Sequence, residues 1–355
     1  MQQIAESLRR RLALEGGLTI AAYMETVLAG AGGYYRENDP LGEAGDFITA
    51  PEISQMFGEI LGLWCVDTWT RLGSPEAFHL VEMGPGRGTL MQDALRAARV
   101  SSAFLAAKQL HLVEINEELK RQQALRLADH QPQWHASLAT LPPGPVLLLA
   151  NEFLDALPIH QFIMTESGWR ERVVVQQGDS FAFAHAAPGP ALALLRPAHQ
   201  GAVLGEIAEV SPAAIALIDS LARRLKAEGG AALFIDYGPA ESGLGDSFQA
   251  LKRHQFHDPL ADPGEADLTA HVDFASLAEA ARQAGVHAYG PVTQGDFLRS
   301  LGLELRTDML AAKADAETAE ILRRQCRRLI APDEMGRLFK VLALTGADLE
   351  ELAGI

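Results

Sequence analysis

Apolar residues recur at three- and four-residue steps over residues 4–14 and 19–29, which predicts two amphipathic helices. Residues 31–47, AGGYYRENDPLGEAGDF, lose that period and carry Gly, Pro and Asn-Asp, so they predict a loop. Helical spacing returns over 49–73, where Phe57, Leu61, Trp64 and Thr68 share a stripe. Thr49 and Glu52 form a capping-box pattern with Pro51 in the first turn, which predicts one long helix. The pattern then alternates. Short apolar runs at 78–82, 109–115, 145–152 and 230–238 predict strands, and helical spacing falls at 89–99, 116–129 and 212–227. PVLLLANE is apolar without a break, as expected of a strand buried on both faces. Such alternation predicts an α/β fold with a mainly parallel sheet and helices on both faces. Residues 159–185 predict two or three antiparallel strands, and 240–272 read as loop-rich. Helices near 273–284, 294–301 and 315–330 and a strand at 337–345 complete the chain; Ala/Pro-rich 186–198 reads as a surface loop. The expected organisation is a helical N-terminal extension (1–75), a core (76–158 and 200–345) with C-terminal helical elaboration, and an inserted antiparallel β lobe (159–199).

The chain has 355 residues, 48% of them apolar, and a formal charge of −16. That charge argues against nucleic acid or an anionic membrane surface as a partner, and is compatible with a basic one. Two cysteines, Cys65 and Cys326, stand far apart, so neither a disulfide framework nor a zinc-cysteine site is expected. The eleven histidines show no metal-ligand spacing, and no metal is expected. Arg9, Arg10 and Arg11 near the N-terminus are flanked by acids rather than by an uncharged apolar segment. No later stretch is long enough to span a bilayer, so a cytoplasmic location is expected.

The chemistry concentrates in LVEMGPGRGTL. Gly84, Gly86 and Gly88 alternate with Pro85 and Arg87 directly after a predicted strand, and a predicted helix follows. This is neither the Gly-x-Gly-x-x-Gly of dinucleotide binders nor a phosphate loop, which needs Lys-Ser/Thr. Glu82 ends the strand; its carboxylate would repel phosphates and suits an ammonium or sulfonium. Glu114 ends the next strand, where an acid can take the hydroxyls of an adenosine ribose. S-adenosylmethionine fits this set: adenosine, a cationic sulfur, an α-amino group and no phosphate. The same residues would also serve a tight structural turn flanked by two surface acids.

GDFITAPEISQMFGE, VEMGPGRGTL, NEFLDALPIHQF, FIDYG and DLTAHVDF resemble blocks of the MidA-like family of S-adenosylmethionine-dependent methyltransferases. In the family's order they extend from about residue 16 to residue 345. Mitochondrial members of that family are arginine methyltransferases that assist assembly of respiratory complex I. The resemblance implies a class I, Rossmann-like methyltransferase fold, S-adenosylmethionine as cofactor, and a protein partner with an arginine acceptor. The N-terminus does not read as a mitochondrial presequence, so a bacterial origin is expected.

With an arginine acceptor in view, Asn151 and Glu152 at the end of the fourth predicted strand become candidate catalytic residues, with Asp155 one turn on. Glu152 and Asp155 would grip a guanidinium by two N–H groups and leave the third nitrogen free; Asn151 would orient them. The alternatives are a turn residue for Asn151 and a helix cap for Asp155. His160, Tyr237, His271 and Asp273 are candidates for the substrate pocket, with Asp273 otherwise a cap for the helix starting at Phe274 and Tyr237 otherwise a core aromatic. Thr49 and Pro51 open a helix whose free N–H groups would close over the cofactor's carboxylate, unless that helix is merely well capped. Rival functions are a small-molecule methyltransferase, a non-catalytic cofactor-binding assembly factor and, more remotely, a dinucleotide oxidoreductase.

Overall fold

The four apolar runs become strands of one seven-stranded sheet in the computed structural model, which describes residues 2–37 and 49–355. The strands are β1 (Phe78–Met83), β2 (Lys108–Val113), β3 (Gln133–His135), β4 (Val146–Asn151), β5 (Gly230–Tyr237), β6 (His287–Thr293) and β7 (Phe339–Thr345). Their order is β6-β7-β5-β4-β1-β2-β3. Pairs from β3 to β5 are parallel, and β7 runs antiparallel between β5 and β6. Every residue of β1 and β4 is buried, as continuous apolar runs require in a sheet covered on both faces. β1 has β2 on one side and β4 on the other. The chain therefore reverses its winding there and opens a crevice at the carboxyl ends of these strands.

The helix expected over 49–73 is broken. Helix α1 (Ala50–Ile53) ends at Ser54, which is extended (φ −156°, ψ 130°) and caps α2 (Gln55–Arg71) by accepting from Met56 N. Ile60, Leu61 and Trp64 of α2 join the cluster with Leu80, Leu110, Leu147 and Leu233 of the sheet. Helix α3 (Thr89–Ala97) lies against α2 so closely that a Cβ at Gly62 would stand 2.2 Å from the Ala94 carbonyl oxygen.

Contacts divide the chain into two units that do not follow chain order. The sheet belongs to a core unit of residues 48–153, 218–240 and 277–355, and a lobe unit contains 1–47, 154–217 and 241–276. The N-terminal helices thus pack with the β lobe, whereas 49–75 pack with the core, in contrast to the single 1–75 extension. In the lobe unit, helices Gln2–Glu15 and Ile20–Leu28 bury Leu8, Leu12, Tyr23 and Met24 among Val174, Ala250 and Leu268. The antiparallel insertion is three strands, His160–Thr165, Gly168–Gln177 and Ser180–Ala186, extended by Ile207–Val210. The stretch 240–272 holds a three-stranded sheet of short strands, Gln249–Lys252, Gln255–His257 and Asp267–Thr269. Of the loop expected over 31–47, residues Tyr34–Glu37 form a helical turn, and 38–47 lie outside the described residues. Among the described residues no helix is long and apolar enough to cross a membrane.

Three histidines stitch the β1–β3 side of the sheet. His79 Nδ1 lies 2.9 Å from His111 Nε2, and His111 Nδ1 lies 2.9 Å from His135 Nε2. The row ends on the Pro143 carbonyl (3.0 Å) and the Thr140 hydroxyl (3.0 Å). Burial, then the neighbouring imidazoles and Arg224, depresses His111 from 6.5 to about 4. The folded protein resists a proton that the unfolded chain accepts near 6.5. This contribution to stability is complete above that pH and is lost as pH falls towards 4. Chemical denaturation between pH 7.5 and 4.5 should show that acid limb, and His111→Phe should flatten it; an unchanged limb would place the acid sensitivity elsewhere.

Candidate functional site

The glycine turn that follows β1 departs from ordinary backbone at each of its glycines. Gly84, Gly86 and Gly88 have φ of 61°, 52° and 78°. Gly84 N donates to Val113 O (3.1 Å), Gly88 N donates to Pro85 O (2.7 Å), and Gly88 stands at the N-cap of α3. A Cβ at Gly84 would lie 2.9 Å from Phe153 Cδ2, so the left-handed backbone and the packing both demand glycine there. Gly84→Ala should therefore lower the melting temperature by several degrees, for a loss of roughly 1–3 kcal/mol. A thermal melt equal to the parent's would show that the turn relaxes freely.

Two acids flank this turn. Glu82, 3% exposed, has a buried Oε2 with no hydrogen-bond partner among the described residues. Burial, and then the charge of Glu114, pushes its carboxyl well above the usual range. Glu114 follows β2 and is pinned: Oε1 accepts from Ile115 N and Asn116 N, both at 2.8 Å, and Oε2 accepts from Gln123 Nε2 at 3.2 Å. Burial still raises its carboxyl, against the pull of those bonds. Bare glycine backbone beside a buried carboxyl oxygen that lacks a partner suits a ligand bearing N–H or O–H groups.

The ends of β4 and β5 supply the other half. Asn151 closes β4, and Glu152 follows in the left-handed region at φ 49°, a strained conformation for a residue with a side chain. Glu152 N donates to Ile235 O (2.9 Å), and its Oε1 accepts from Asn151 Nδ2 (3.0 Å) and Ala50 N (3.2 Å). The carboxylate thus does what the Thr49 side chain was expected to do: Thr49 is the N-cap of α1 by position but makes no capping bond. Pro51 lies in the first turn of α1, and Glu52 accepts from the Thr89 hydroxyl at 2.5 Å. Asn151 Oδ1 is buried and has no partner among the described residues.

Asp236 was missed by the sequence reading. It is 1% exposed; Oδ2 accepts from Phe153 N (3.1 Å) and Oδ1 from Tyr237 N (2.9 Å), which braces the turn that carries Glu152. The signal was present, because FIDYG ends an apolar run in an acid just as the runs before Gly84 and Ile115 do. Tyr237 itself is half-buried, edge-on to Phe339 with ring centroids 5.5 Å apart.

The remaining candidates belong to the lobe unit and have local partners there. His160 Nδ1 lies 2.6 Å from Glu171 Oε1. Asp273 caps the helix Phe274–Ala284 through Ser276 N (3.0 Å) and accepts from the Ser242 hydroxyl (2.6 Å), which is the plainer of its two expected roles. His271 is exposed, and its N–H donates to Ser247 Oγ (2.8 Å). Asp155 is buried; burial, then the charges of Asp267 and Asp155, raises the Tyr35 hydroxyl well above its ordinary range. Asp155 therefore falls in a different unit from Asn151 and Glu152.

Comparison with known proteins identifies the family and the fold. Residues 60–292 match a family described as S-adenosyl-L-methionine-dependent methyltransferase. A Drosophila melanogaster protein named protein arginine methyltransferase NDUFAF7 homolog, mitochondrial, is 39% identical over 96% of this chain and 84% of its own length. The Homo sapiens protein arginine methyltransferase NDUFAF7, mitochondrial, is 38% identical over 93% of this chain and 80% of its own. A Burkholderia thailandensis protein solved with S-adenosyl-homocysteine bound superimposes with a TM-score of 0.83 at 29% identity, covering 98% of this chain and 93% of that one. These relatives correct one expectation: the cytoplasmic location read from the N-terminus is overturned by curated relatives that are mitochondrial proteins. The class I α/β fold and the cofactor expected from the glycine turn stand. This chain belongs to that family of S-adenosyl-L-methionine-dependent methyltransferases.

Proposed function

We propose that the protein methylates an arginine side chain of a protein partner. The observation that carries this reading is the pair at the end of β4: the Glu152 carboxylate beside a buried Asn151 oxygen that lacks a partner among the described residues. Two acceptors side by side suit a planar cation with several N–H groups. The names of the relatives, protein arginine methyltransferases, support the same acceptor.

On this reading Gly84, Pro85, Gly86 and Gly88 offer bare backbone to the cofactor, and Glu114 takes its ribose. Glu82 faces the cationic end, and the start of α1 at Thr49 and Pro51 receives its carboxylate. The cofactor supplies a methyl group carried on a cationic sulfur. Glu152 binds the guanidinium, localises its charge on the gripped nitrogens and leaves the remaining one free to react, the proton that this nitrogen sheds passing to solvent; Asn151 holds Glu152 in place. Asp236 keeps the strained turn in register.

The test compares arginine methylation in the source organism with and without this gene by mass spectrometry. Purified enzyme is then given methyl-labelled cofactor and the undermethylated proteins. Specific arginines should lose their methyl groups in the deletion and regain label in vitro. Label entering only small molecules would replace this reading with a small-molecule methyltransferase.

A further inference from the structure

Helix α4 (Glu117–Arg126) buries one polar side chain completely, that of Gln123. Its Nε2 donates to Gly86 O at 2.6 Å and to Glu114 Oε2 at 3.2 Å. Its Oε1 accepts from Trp134 Nε1, on β3, at 2.8 Å. The indole can only donate, whereas the Gly86 carbonyl accepts and the Glu114 carboxylate, when ionised, can only accept. One orientation of the amide alone satisfies all three. A single side chain thereby connects the middle glycine of the turn, the acid at the end of β2, and β3.

The acceptor capacity of Glu114 sharpens the point. A carboxylate offers about four acceptor positions, two on each oxygen. Ile115 N and Asn116 N fill those of Oε1, and Gln123 fills one of Oε2. Among the described residues one position on Oε2 remains, and its direction is set by the amide beside it.

We infer that Gln123 is a positioning residue for cofactor recognition. It locks the Gly86 peptide and the Glu114 carboxylate to one another and aims the one open acceptor position of Oε2 at a ribose hydroxyl. Trp134 acts through Gln123 by fixing which way the amide faces. The inference rests on the proposed pairing of Glu114 with the ribose.

A double-mutant cycle separates the two claims. S-adenosyl-homocysteine affinity is measured by titration calorimetry on the full-length protein carrying Gln123→Met, Glu114→Ala, or both. Gln123→Met keeps the length of the side chain and removes its hydrogen bonds; it should weaken binding about tenfold. The double variant should bind about as weakly as Glu114→Ala alone, because Gln123 works through that carboxylate. Losses that multiply would show that Gln123 acts independently and would overturn the inference. An unchanged affinity in Glu114→Ala alone would defeat the ribose pairing, and the inference with it. Should Gln123→Met fold poorly, Gln123→Glu provides the check. At neutral pH its carboxylate faces two acceptors, so binding is weak. Acidification restores one donor, and affinity relative to the parent should recover as pH falls. A ratio that stays flat with pH would reject the positioning role.

Discussion

Glu152→Gln is expected to lower methyl transfer to an arginine substrate by on the order of a hundredfold or more while leaving cofactor affinity unchanged. The substitution is nearly isosteric, and the amide oxygen can keep both bonds that Oε1 now accepts, from Ala50 N and Asn151 Nδ2. The start of α1 and the turn after β4 should therefore survive. What changes is the second oxygen: an acceptor becomes an N–H donor, and the charge is gone. A guanidinium approaching that edge meets a like donor and no anion. Stability, cofactor affinity and transfer should be measured on one preparation. A stable Glu152→Gln enzyme with near-normal transfer would reduce Glu152 to a cap for α1. Glu152→Ala makes the contrast, since it loses the cap as well and should cost a further 0.5–2 kcal/mol or about that in stability.

Glu114→Ala should weaken cofactor binding at least tenfold, because a hydrogen bond to a charged group contributes about 1.5–3 kcal/mol. It should also lower stability, since the N–H groups of Ile115 and Asn116 and the Gln123 amide all lose their acceptor. Calorimetric titration of the folded variant is decisive. Affinity equal to that of the parent would mean that this acid serves only to shape the turn after β2.

The core strands were legible because burial on both faces writes an uninterrupted apolar run, as in PVLLLANE and GAALFIDYG. Strand β3 was not, since it has only three residues, Gln133–His135, none of them aliphatic, and its half-buried indole and imidazole are held by side-chain bonds. Strand β6 escaped because Gly290 and Pro291 interrupt its pattern, where the pairing with β7 also shifts register. The break at Ser54 is invisible to periodicity, which continues across it. Among site residues, Glu82 and Glu114 announced themselves as acids closing apolar runs. Gln123 did not: a glutamine in the middle of a polar helix reads as a solvent-facing residue until the helix is packed. The division into units depends on which distant segments touch, and single-chain patterning carries no record of that.

The place of β7 has a consequence for how the protein is made. Among the described residues strand β6 pairs with β7 alone, and β5 has β7 along one edge, from Ala231 to Tyr237. As a nascent chain leaves the ribosome, β5 and β6 emerge long before β7. During that interval the apolar GAALFIDY edge has no cover, which is the condition that recruits chaperones or pairs with a neighbouring copy. Completion of the sheet waits on the last strand. A chain cut before Phe339 should emerge as an aggregation-prone fragment even though the glycine turn and every strand that carries the site have already been synthesised.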